Sequence, residues 1–533
     1  MTAIIGTQGT DTFLRIAGKR MRRCSKGGAI MKAVRSNCYL VLVFILIRAL
    51  AGCDGSEPAN DKKAQNRQAK APVIKEAHYD GHPLKDKRIE ISILGISEWF
   101  PSELIGKMAP GYSTYAKEAY GYEVSLSFVG SSVWTLFDKA SASLSTGSQE
   151  FNIIVIDSQW LGAFAEKGWI ASVNELIQNY PELNIEWWDP IITETYMEYP
   201  IGSGRLWGFP QEADVVALFV RKDLFSDPAE QKAFKSQYNM ELPQTFEDFE
   251  NLCMKDFEKI ASFFTRPEKD LYGTVLQYSK RYDFISMYLY PFIYSLGGEV
   301  WDPINQVIYG LINSDINARA MRWSKRMLAY QPSDVIQYGI SENRDAFVQG
   351  KTATAFQWAA MAPAMITEKN KDSVLIVPPP AFRRTDGTLQ RIYAIGGQPW
   401  VINAFNDNAH MLAVVDFLKW WYLPATQREF AKSGGNPSVR ATLESHDFDA
   451  LQTWFRTFKY MLTKKRAKDF WHHPRYAELL KIQQEAFAEY ISGSITDPEL
   501  ALEHIACMQQ GILFKSGSSD LAPPDSCARV ILK

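Results

Sequence analysis

Short apolar stretches alternate with longer amphipathic ones through the first half of the chain. Arg88 to Leu94 has the composition of a strand, Glu123 to Val129 alternates apolar and polar residues with a period of two, and Asn152 to Ile156 is a short apolar run typical of a fully buried strand. Helical stretches separate them, including Val133 to Leu144. Strands that alternate with helices of this length indicate βαβ units and a mainly parallel sheet.

The second half of the body begins with a candidate crossover strand and ends in helices. Four further apolar runs predict strands: Val215 to Arg221, Leu271 to Gln277, Thr352 to Gln357 and Val374 to Val377. Ile285 to Leu296 predicts a helix that Gly297 stops. After Arg391 the pattern is predominantly helical to about residue 510. We therefore predict an α/β fold of two lobes that exchange strands, rather than a single barrel.

A signal-like segment precedes this body. From Met31 the order is basic residues, an apolar run from Cys38 to Ile47, and then Leu50-Ala51-Gly52-Cys53. Ten apolar residues span only ~15 Å as a helix, half of a bilayer core, so the run is typical of a signal peptide rather than a transmembrane helix. The small residues before the cysteine resemble a bacterial lipoprotein signal, which implies that Cys53 receives a lipid. An ordinary secretory signal with an incidental cysteine is the alternative.

The chain outside the predicted lobes falls into three segments. Residues 1–52 are predicted to be an upstream extension followed by the signal peptide. Residues 53–87 contain scarcely any large apolar side chain, so they cannot offset the entropy of folding and predict a flexible tether. Residues 513–533, rich in Ser, Gly and Pro, are predicted to be a flexible tail.

The distribution of charged residues along the chain bears on which partners the protein can bind. The formal net charge of the chain is -2, but residues 1–52 hold nine Lys and Arg residues and one acid. Removing these from the 58 basic and 60 acidic residues leaves 49 and 59, a net charge of -10 for residues 53–533. An acidic body argues against nucleic-acid binding.

Sequence motifs give no sign of an enzyme. Three of the six cysteines, Cys253, Cys507 and Cys527, lie in the body without metal-ligand spacing, so at most one disulfide can form among them. No GxSxG, HExxH or Cys-x-x-Cys motif occurs in the sequence. We predict no catalytic residue, no bound metal and no cofactor.

Six segments follow one another along the chain: NIIVIDSQWLGAFAEKGWI, GFPQEADVVALFVRKDLF, PQTFEDF, AFVQGKTATAFQW, GGQPWVINAF and VVDFLKWWYLPATQREFAKSGGNPS. In this order they resemble the extracellular solute-binding proteins of ABC importers, in the branch of carbohydrate binders. They cover most of residues 88–440. The resemblance implies a two-lobed periplasmic-binding-protein fold of type II, with each lobe a mainly parallel sheet flanked by helices and hinge crossovers between the lobes.

The resemblance also implies how the chain is divided and what it contacts. Residues 88–205 and 340–392 would form the first lobe, and residues 206–339 and 393–512 the second. The protein would be a monomer on the extracytoplasmic or periplasmic side, anchored to a membrane by its lipid. Its partners would be a small carbohydrate or polyol, bound in the cleft, and the transmembrane subunits of an ABC permease.

A sugar site needs polar groups for the hydroxyls and flat rings for the apolar faces. Asp157, Gln159 and Trp160 follow the third predicted strand, where ligands collect at the carboxyl ends of parallel strands. Trp99 and Tyr278 each follow another predicted strand. We therefore include all five among the candidate ligand-binding residues, although Trp160 could equally begin the core face of the next helix.

The resemblance adds candidates at the crossovers. Asp214 lies where related proteins place a ligand-binding acid, with hinge capping as its alternative role and Glu212 as the competing acid. Trp358 matches a position that stacks on sugar. The returning crossover contributes three more candidates: Gly397, Gln398 and Trp400. Paired glycines there suit close approach of a ligand and a hinge equally well.

Two other classes of ligand and one other class of protein stay open. A polyamine would require several acids and aromatic rings in the cleft, whereas a phosphorylated polyol would require Arg or Lys. A secreted carbohydrate-active enzyme is the alternative from a different class, because the paired carboxylates of a glycosidase need not be close in sequence.

Overall fold

The structure, a computed structural model, describes residues 81–384, 386–463, 465–469 and 472–530. The predicted signal peptide, Cys53 and most of the predicted tether lie outside these residues. The strands, numbered in chain order, are β1 (Arg88–Ile96), β2 (Glu123–Ser131), β3 (Ile153–Val155), β4 (Phe209–Pro210), β5 (Asp214–Arg221), β6 (Thr354–Trp358), β7 (Val374–Val377), β8 (Phe382–Arg383), β9 (Leu389–Gln390), β10 (Tyr393–Gly396), β11 (Pro399–Ile402) and β12 (Ala467–Lys468).

Helices cover both sheets and dominate the last third of the described chain. They are α1 (Phe100–Tyr120), α2 (Val133–Ser145), α3 (Leu161–Ala165), α4 (Val173–Asn179), α5 (Pro190–Tyr196), α6 (Lys222–Ser226), α7 (Pro228–Tyr238), α8 (Phe246–Glu250), α9 (Met254–Phe264), α10 (Phe284–Leu296), α11 (Asp315–Met327), α12 (Ile340–Val348), α13 (Ala362–Met365), α14 (Asn408–Trp421), α15 (Pro424–Lys432), α16 (Arg440–Leu443), α17 (Phe448–Leu451), α18 (Phe455–Met461), α19 (Tyr476–Ser492) and α20 (Pro498–Lys515). Within the described ranges, no helix combines the length and the apolar character needed to span a membrane.

Two five-stranded sheets organise the molecule. The first has the order β2-β1-β3-β11-β4, and the second has the order β12-β10-β5-β6 with β7 also paired to β5. In the first sheet β1 is parallel to β2 and β3, as the sequence predicts. The second sheet differs from the prediction, because β5 is antiparallel to β6, β7 and β10. The predicted α/β fold with two sheets is confirmed, and we call each sheet with its helices a lobe.

The strands are distributed between the two sheets differently from the predicted division of the chain into lobes. β6, within residues 340–392, pairs with β5 in the second sheet rather than joining the first. β11, placed in the second lobe by the sequence, pairs with β3 in the first sheet. Both differences arise because the partner of a returning strand is chosen by contacts far along the chain, which local patterns do not encode.

One of the predicted strands forms no regular ladder. Leu271–Gln277 makes isolated bridges, including Tyr272 to Thr352, although the Phe356 N–H donates to the Val275 carbonyl at 3.0 Å. The predicted helix stop is confirmed, since α10 ends where Gly297 adopts a φ of 92° that favours glycine.

Both ends of the described chain are tied to the fold, unlike the predicted flexible segments. At the N-terminal end, Leu84 is buried and His82 Nε2 lies 3.2 Å from Asp416 Oδ2. At the C-terminal end, a disulfide joins Cys527 to Cys507 on α20. The single disulfide that the sequence allows in the body is therefore formed by these two cysteines, and Cys253 is a buried free thiol.

Three connections between the sheets meet at one place. The Gln211 N–H, between β4 and β5, donates to the carbonyl of Gln398, between β10 and β11, at 2.9 Å. The Ala213 N–H donates to the carbonyl of Asn436, in the segment after α15, at 3.3 Å. A Cβ on Gly397 would lie 2.8 Å from the Glu212 carbonyl oxygen, so the tight packing of these crossovers requires glycine there.

Candidate functional site

A cavity of about 280 Å³ lies between the two lobes, beside the crossovers. On the first-lobe side it is lined by the residues that follow three parallel strands: Ile96, Ser97, Glu98, Trp99, Ser132, Val133, Trp134, Asp157, Ser158 and Gln159. The second lobe and the returning crossover supply Arg281, Tyr282, Asp283, Phe284, Met287, Ile340, Ser341, Glu342, Trp358, Ile395, Gly396, Gly397, Gln398 and Asp469. The cavity therefore occupies the place where ligands bind in open α/β sheets.

Carboxyl and amide groups from the two lobes are hydrogen-bonded to each other inside the cavity. The Gln159 Nε2 amide donates to Asp283 Oδ2 at 3.0 Å, and the Tyr282 hydroxyl donates to Asp157. The Ser158 hydroxyl donates to Asp469 Oδ2 at 3.0 Å. These contacts join the two sides of the cavity.

Burial governs the protonation of the two central acids. Burial raises the pKa of Asp157 above its ordinary value. Burial and, next, the neighbouring Asp157 carboxyl raise the pKa of Asp283 well above its ordinary value. Both effects follow from the cost of placing carboxylate charges close together away from water.

Aromatic rings form the wall that runs from the cavity to the surface. Trp134 is 47% exposed, and its ring lies edge-on to Phe284 at 5.6 Å and to Tyr282 at 6.2 Å between centroids. The guanidinium carbon of Arg281 lies 5.4 Å from the Trp134 ring centroid. Such a wall offers flat apolar surface to a ligand at the mouth of the cavity.

Two residues of the cavity lining adopt a backbone conformation that is unusual for their residue types. Glu98 has a φ of 63° and Tyr282 a φ of 51°, both in the left-handed region. For residues other than glycine this conformation costs of order 1–3 kcal/mol and is concentrated at functional sites. The two residues lie on opposite lobes, so strain is present on both sides of the cavity.

Six of the ten predicted site residues line the cavity: Trp99, Asp157, Gln159, Trp358, Gly397 and Gln398. The Trp99 indole N–H donates to Glu212, which is fully buried behind it. Burial and, next, the Asp214 carboxyl raise the pKa of Glu212 well above its ordinary value. Glu212 thus supports Trp99 from behind instead of facing the cavity.

Asp214 lies outside the cavity, contrary to its predicted role in ligand contact. Its Oδ1 accepts hydrogen bonds from the Val215 N–H at 2.8 Å, the Ala360 N–H at 3.0 Å and the Asn436 side-chain amide at 3.0 Å. Burial raises the pKa of Asp214 to about 8. These partners belong to the crossover and its neighbours, an arrangement that the hinge-capping alternative predicts for Asp214.

Three predicted aromatic residues are also placed elsewhere, in the hydrophobic core. Trp160 is buried against Phe137, with ring centroids 5.2 Å apart. Tyr278 is buried in the second lobe, where its hydroxyl donates to the Ser324 carbonyl at 3.0 Å. Trp400 is buried on β11 against Phe417. Their sequence positions after or within strands did not distinguish core rings from ligand-facing rings.

Apart from Trp358 on β6, none of the predicted site residues lies on the second-lobe side of the cavity. Arg281, Tyr282 and Asp283 precede α10, and Asp469 follows β12. Arg281, Tyr282 and Asp283 form a polar triplet directly before a predicted helix, and this was the available signal for them. The strand predicted before this triplet, Leu271–Gln277, forms no regular ladder. No such local signal marks Asp469.

One group of described residues has metal-ligand proximity: Glu503, Cys507 and Cys527. It lies outside the cavity lining, and its two cysteines are joined in the disulfide. They cannot therefore offer thiolates to a metal.

Two α/β lobes, three crossovers between them and a polar, aromatic cavity at those crossovers define a binding protein of the two-lobed solute-receptor class. A family model described as bacterial extracellular solute-binding protein matches residues 101–428, and the chain belongs to this family. The resemblance inferred from the sequence motifs is thereby confirmed. Members of this family are solute-binding components of transporters rather than enzymes, and they act outside the cytoplasm.

Solved structures of solute-binding proteins share the fold. An ABC transporter solute-binding protein from Agrobacterium radiobacter in complex with ribitol is 21% identical, with 80% of this chain and 98% of that chain covered and a TM-score of 0.63. Maltose-bound MalE3 of T. maritima is 16% identical, with 80% and 100% covered and a TM-score of 0.64. MalE of Bdellovibrio bacteriovorus bound to maltotriose is 15% identical, with 80% and 100% covered and a TM-score of 0.62. Comparison with curated protein sequences gives no match.

Proposed function

We propose that the protein captures a sugar or polyol in the interlobe cavity and delivers it to the transmembrane subunits of an ABC importer. The observation that carries this proposal is the cavity itself, in which both lobes present carboxyl and amide groups beside aromatic rings. Carboxyl and amide groups match vicinal hydroxyls, and the rings match the C–H faces of a sugar. The ribitol, maltose and maltotriose bound by the similar structures support the same class of ligand.

The binding residues in this proposal are Trp99, Asp157, Gln159, Trp358, Gly397 and Gln398, joined by Tyr282 and Asp283. The two lobes would open about the three crossovers and close on the ligand, which is the hinge motion that excludes water from such sites. Only the closed, loaded form would present both lobes to the permease in the right geometry. The protein would perform no chemistry on its ligand.

Calorimetry with a panel of monosaccharides, disaccharides and polyols tests the proposal. At a ligand concentration 100 times Kd, binding should stabilise the protein by about 2.7 kcal/mol, which a shift in Tm also detects. Absence of binding across the panel would contradict sugar or polyol capture. New reducing ends after incubation with oligosaccharides would favour the carbohydrate-active enzyme instead.

Anchoring through Cys53 is a separate part of the proposal. It is supported by the basic residues, apolar run and small residues that precede Cys53 in the sequence. Expression in a bacterial host with a fatty-acid label should give a labelled, membrane-bound protein, and the Cys53→Ala variant should carry no label. Equal labelling of both proteins would contradict the assignment.

A further inference from the structure

Carboxyl groups far outnumber basic groups in the cavity. Its described lining residues include five acids, which are Glu98, Asp157, Asp283, Glu342 and Asp469. The same described lining contains a single guanidinium, that of Arg281, whose Nη2 lies 3.6 Å from Glu342 Oε1. Behind the lining, His472 Nε2 lies 2.9 Å from Asp469 Oδ2. The central acids, Asp157 and Asp283, have hydroxyl and amide partners, and none of their hydrogen bonds to described residues comes from a basic side chain.

Unpaired acceptors add to this imbalance. The Gln159 side chain is 2% exposed and donates its amide nitrogen to Asp283, yet its Oε1 has no hydrogen-bond partner among the described residues. The Oε1 of Gln398, a residue 8% exposed, has none either. A buried acceptor without a donor costs free energy. These two acceptors would each be satisfied by a ligand that donates hydrogen bonds.

The kinds of donor differ in how well they meet this need. A hydroxyl donates one hydrogen bond and also accepts hydrogen bonds, whereas an ammonium group donates three hydrogen bonds and accepts none. A positive charge near Asp157 and Asp283 would also favour their ionised forms, opposing the burial that raises the pKa of both. Phosphate would meet the opposite environment, because it adds acceptors and negative charge.

The aromatic wall is compatible with a cation as well. Arg281 already places its guanidinium carbon 5.4 Å from the Trp134 ring centroid, within the range of a cation–π contact. Tyr282, Phe284 and Trp358 supply further ring surface to the cavity. The same rings can cover the apolar face of a sugar, so one wall serves both parts of a charged carbohydrate.

We propose that the ligand is a hydroxylated compound carrying a protonated amine, that is, an amino sugar or an amino polyol, with the amine directed to Asp157 and Asp283. The proposal rests on the proposed function and names its ligand class. The cavity of about 280 Å³ is slightly smaller than the usual range for small-molecule sites, which suits one sugar ring or an open-chain polyol rather than a long oligosaccharide.

Calorimetry at pH 7 with matched pairs tests the ligand class. The pairs are glucosamine with glucose, galactosamine with galactose, mannosamine with mannose and glucamine with sorbitol, and putrescine serves as an amine without hydroxyls. We expect the tightest-binding compound to be the amine of its pair, by at least tenfold over its neutral partner. Neutral partners that bind as tightly in every pair would overturn this inference and leave sugar capture standing. Tightest binding of putrescine would overturn the requirement for hydroxyls, and no binding at all would overturn both proposals.

A charge-removing variant tests the role of the acid pair. Asp283→Asn keeps the size of the side chain and removes its charge, so we expect the amine to lose at least tenfold more affinity than its neutral partner loses. Asp372→Asn, at an exposed position, is the matched control and should change neither. Equal losses for both members of the pair would overturn the proposal. Asp157→Asn provides the same comparison if Asp283→Asn does not fold.

Discussion

The predicted site residues separate into two groups that look alike in sequence and differ in surroundings. Asp157 faces the cavity, and its carboxyl accepts hydrogen bonds from the Gln159 N–H at 3.1 Å and from the Tyr282 hydroxyl of the other lobe. Asp214 is likewise an acid at the junction of a crossover and a strand. Its hydrogen-bond partners, however, are the backbone N–H groups of Val215 and Ala360 and the side-chain amide of Asn436. The difference teaches that a buried acid near the cleft lies within the fold when all its partners belong to the crossovers and their neighbours, and lies in the cavity when one partner comes from the opposite lobe.

The largest expected effect is on stability, and it distinguishes Trp400 in the core from Trp358 in the cavity lining. Trp400→Ala should lower the free energy of unfolding by about 4 kcal/mol, because Trp400 is fully buried against Phe417 and Trp421. Trp358→Ala, the control from the cavity lining, should cost less stability and weaken ligand binding about tenfold. Urea denaturation and calorimetry measure the two quantities. Loss of binding in a Trp400→Ala protein that keeps its stability would break the comparison.

The next prediction concerns Asp214. Asp214→Ala should lower the free energy of unfolding by about 3 kcal/mol, since it leaves three buried donors without their acceptor. At temperatures where the variant is folded, ligand affinity should change by less than threefold. Denaturation followed by calorimetry checks both. A stable variant that no longer binds would return Asp214 to the ligand site.

Asp157→Ala should show the reverse behaviour. We expect ligand affinity to fall on the order of 100-fold, equivalent to about 2.7 kcal/mol, because a charge-assisted contact inside a closed cavity is lost. The free energy of unfolding of the unliganded protein should change by less than about 1 kcal/mol. Calorimetry against the tightest-binding compound measures the first value. An unaltered Kd would remove Asp157 from the site.

The pKa of Asp214 gives a prediction about pH. Because its pKa is raised to about 8 in the folded protein, the folded state holds a proton that the unfolded state releases between about pH 4 and 8. The unfolding free energy should therefore fall as pH rises through this interval, with Asp214 contributing up to about 1.4 kcal/mol per pH unit. Asp214→Asn should show a correspondingly shallower fall. Parallel pH profiles for the two proteins would show that this carboxyl does not titrate as described.

The smallest expected effect is at Tyr278. Tyr278→Phe removes the hydrogen bond from its hydroxyl to the Ser324 carbonyl and should lower the unfolding free energy by about 1 kcal/mol. Ligand affinity should be unchanged, since the ring lies in the core of the second lobe. Chemical denaturation and calorimetry of this variant measure both. A tenfold weaker ligand would place Tyr278 among the binding residues after all.

Local patterns predicted the parts of the fold and site that depend on near neighbours in sequence. The strands at β1, β2 and β3 and the end of α10 at Gly297 follow from periodicity and from the residue that stops the helix. The placement of Trp99 and Gln159 in the cavity follows from the rule that carboxyl ends of parallel strands meet.

The remaining parts depend on contacts between distant segments. Nothing in the neighbourhood of β11 indicates that it returns to β3, so the predicted lobes divided the chain differently. Asp283 and Asp469 line the cavity from the second lobe, far along the chain from Asp157, whereas Trp400 is fully buried in the core. Hydrophobic pattern reports burial, and burial is common to core and binding rings.

The exchange of strands between the sheets also bears on how the chain reaches its folded state. β3 is completed by β11, some 250 residues later, so the first sheet cannot finish assembling while synthesis is still in its middle stretch. Pairing between strands so far apart in sequence slows folding, because the entropy of closing the long loop is lost before the stabilising contacts form. A chain that stays open for longer is well suited to threading through an export channel before it folds, which is the route that its signal-like N-terminus predicts.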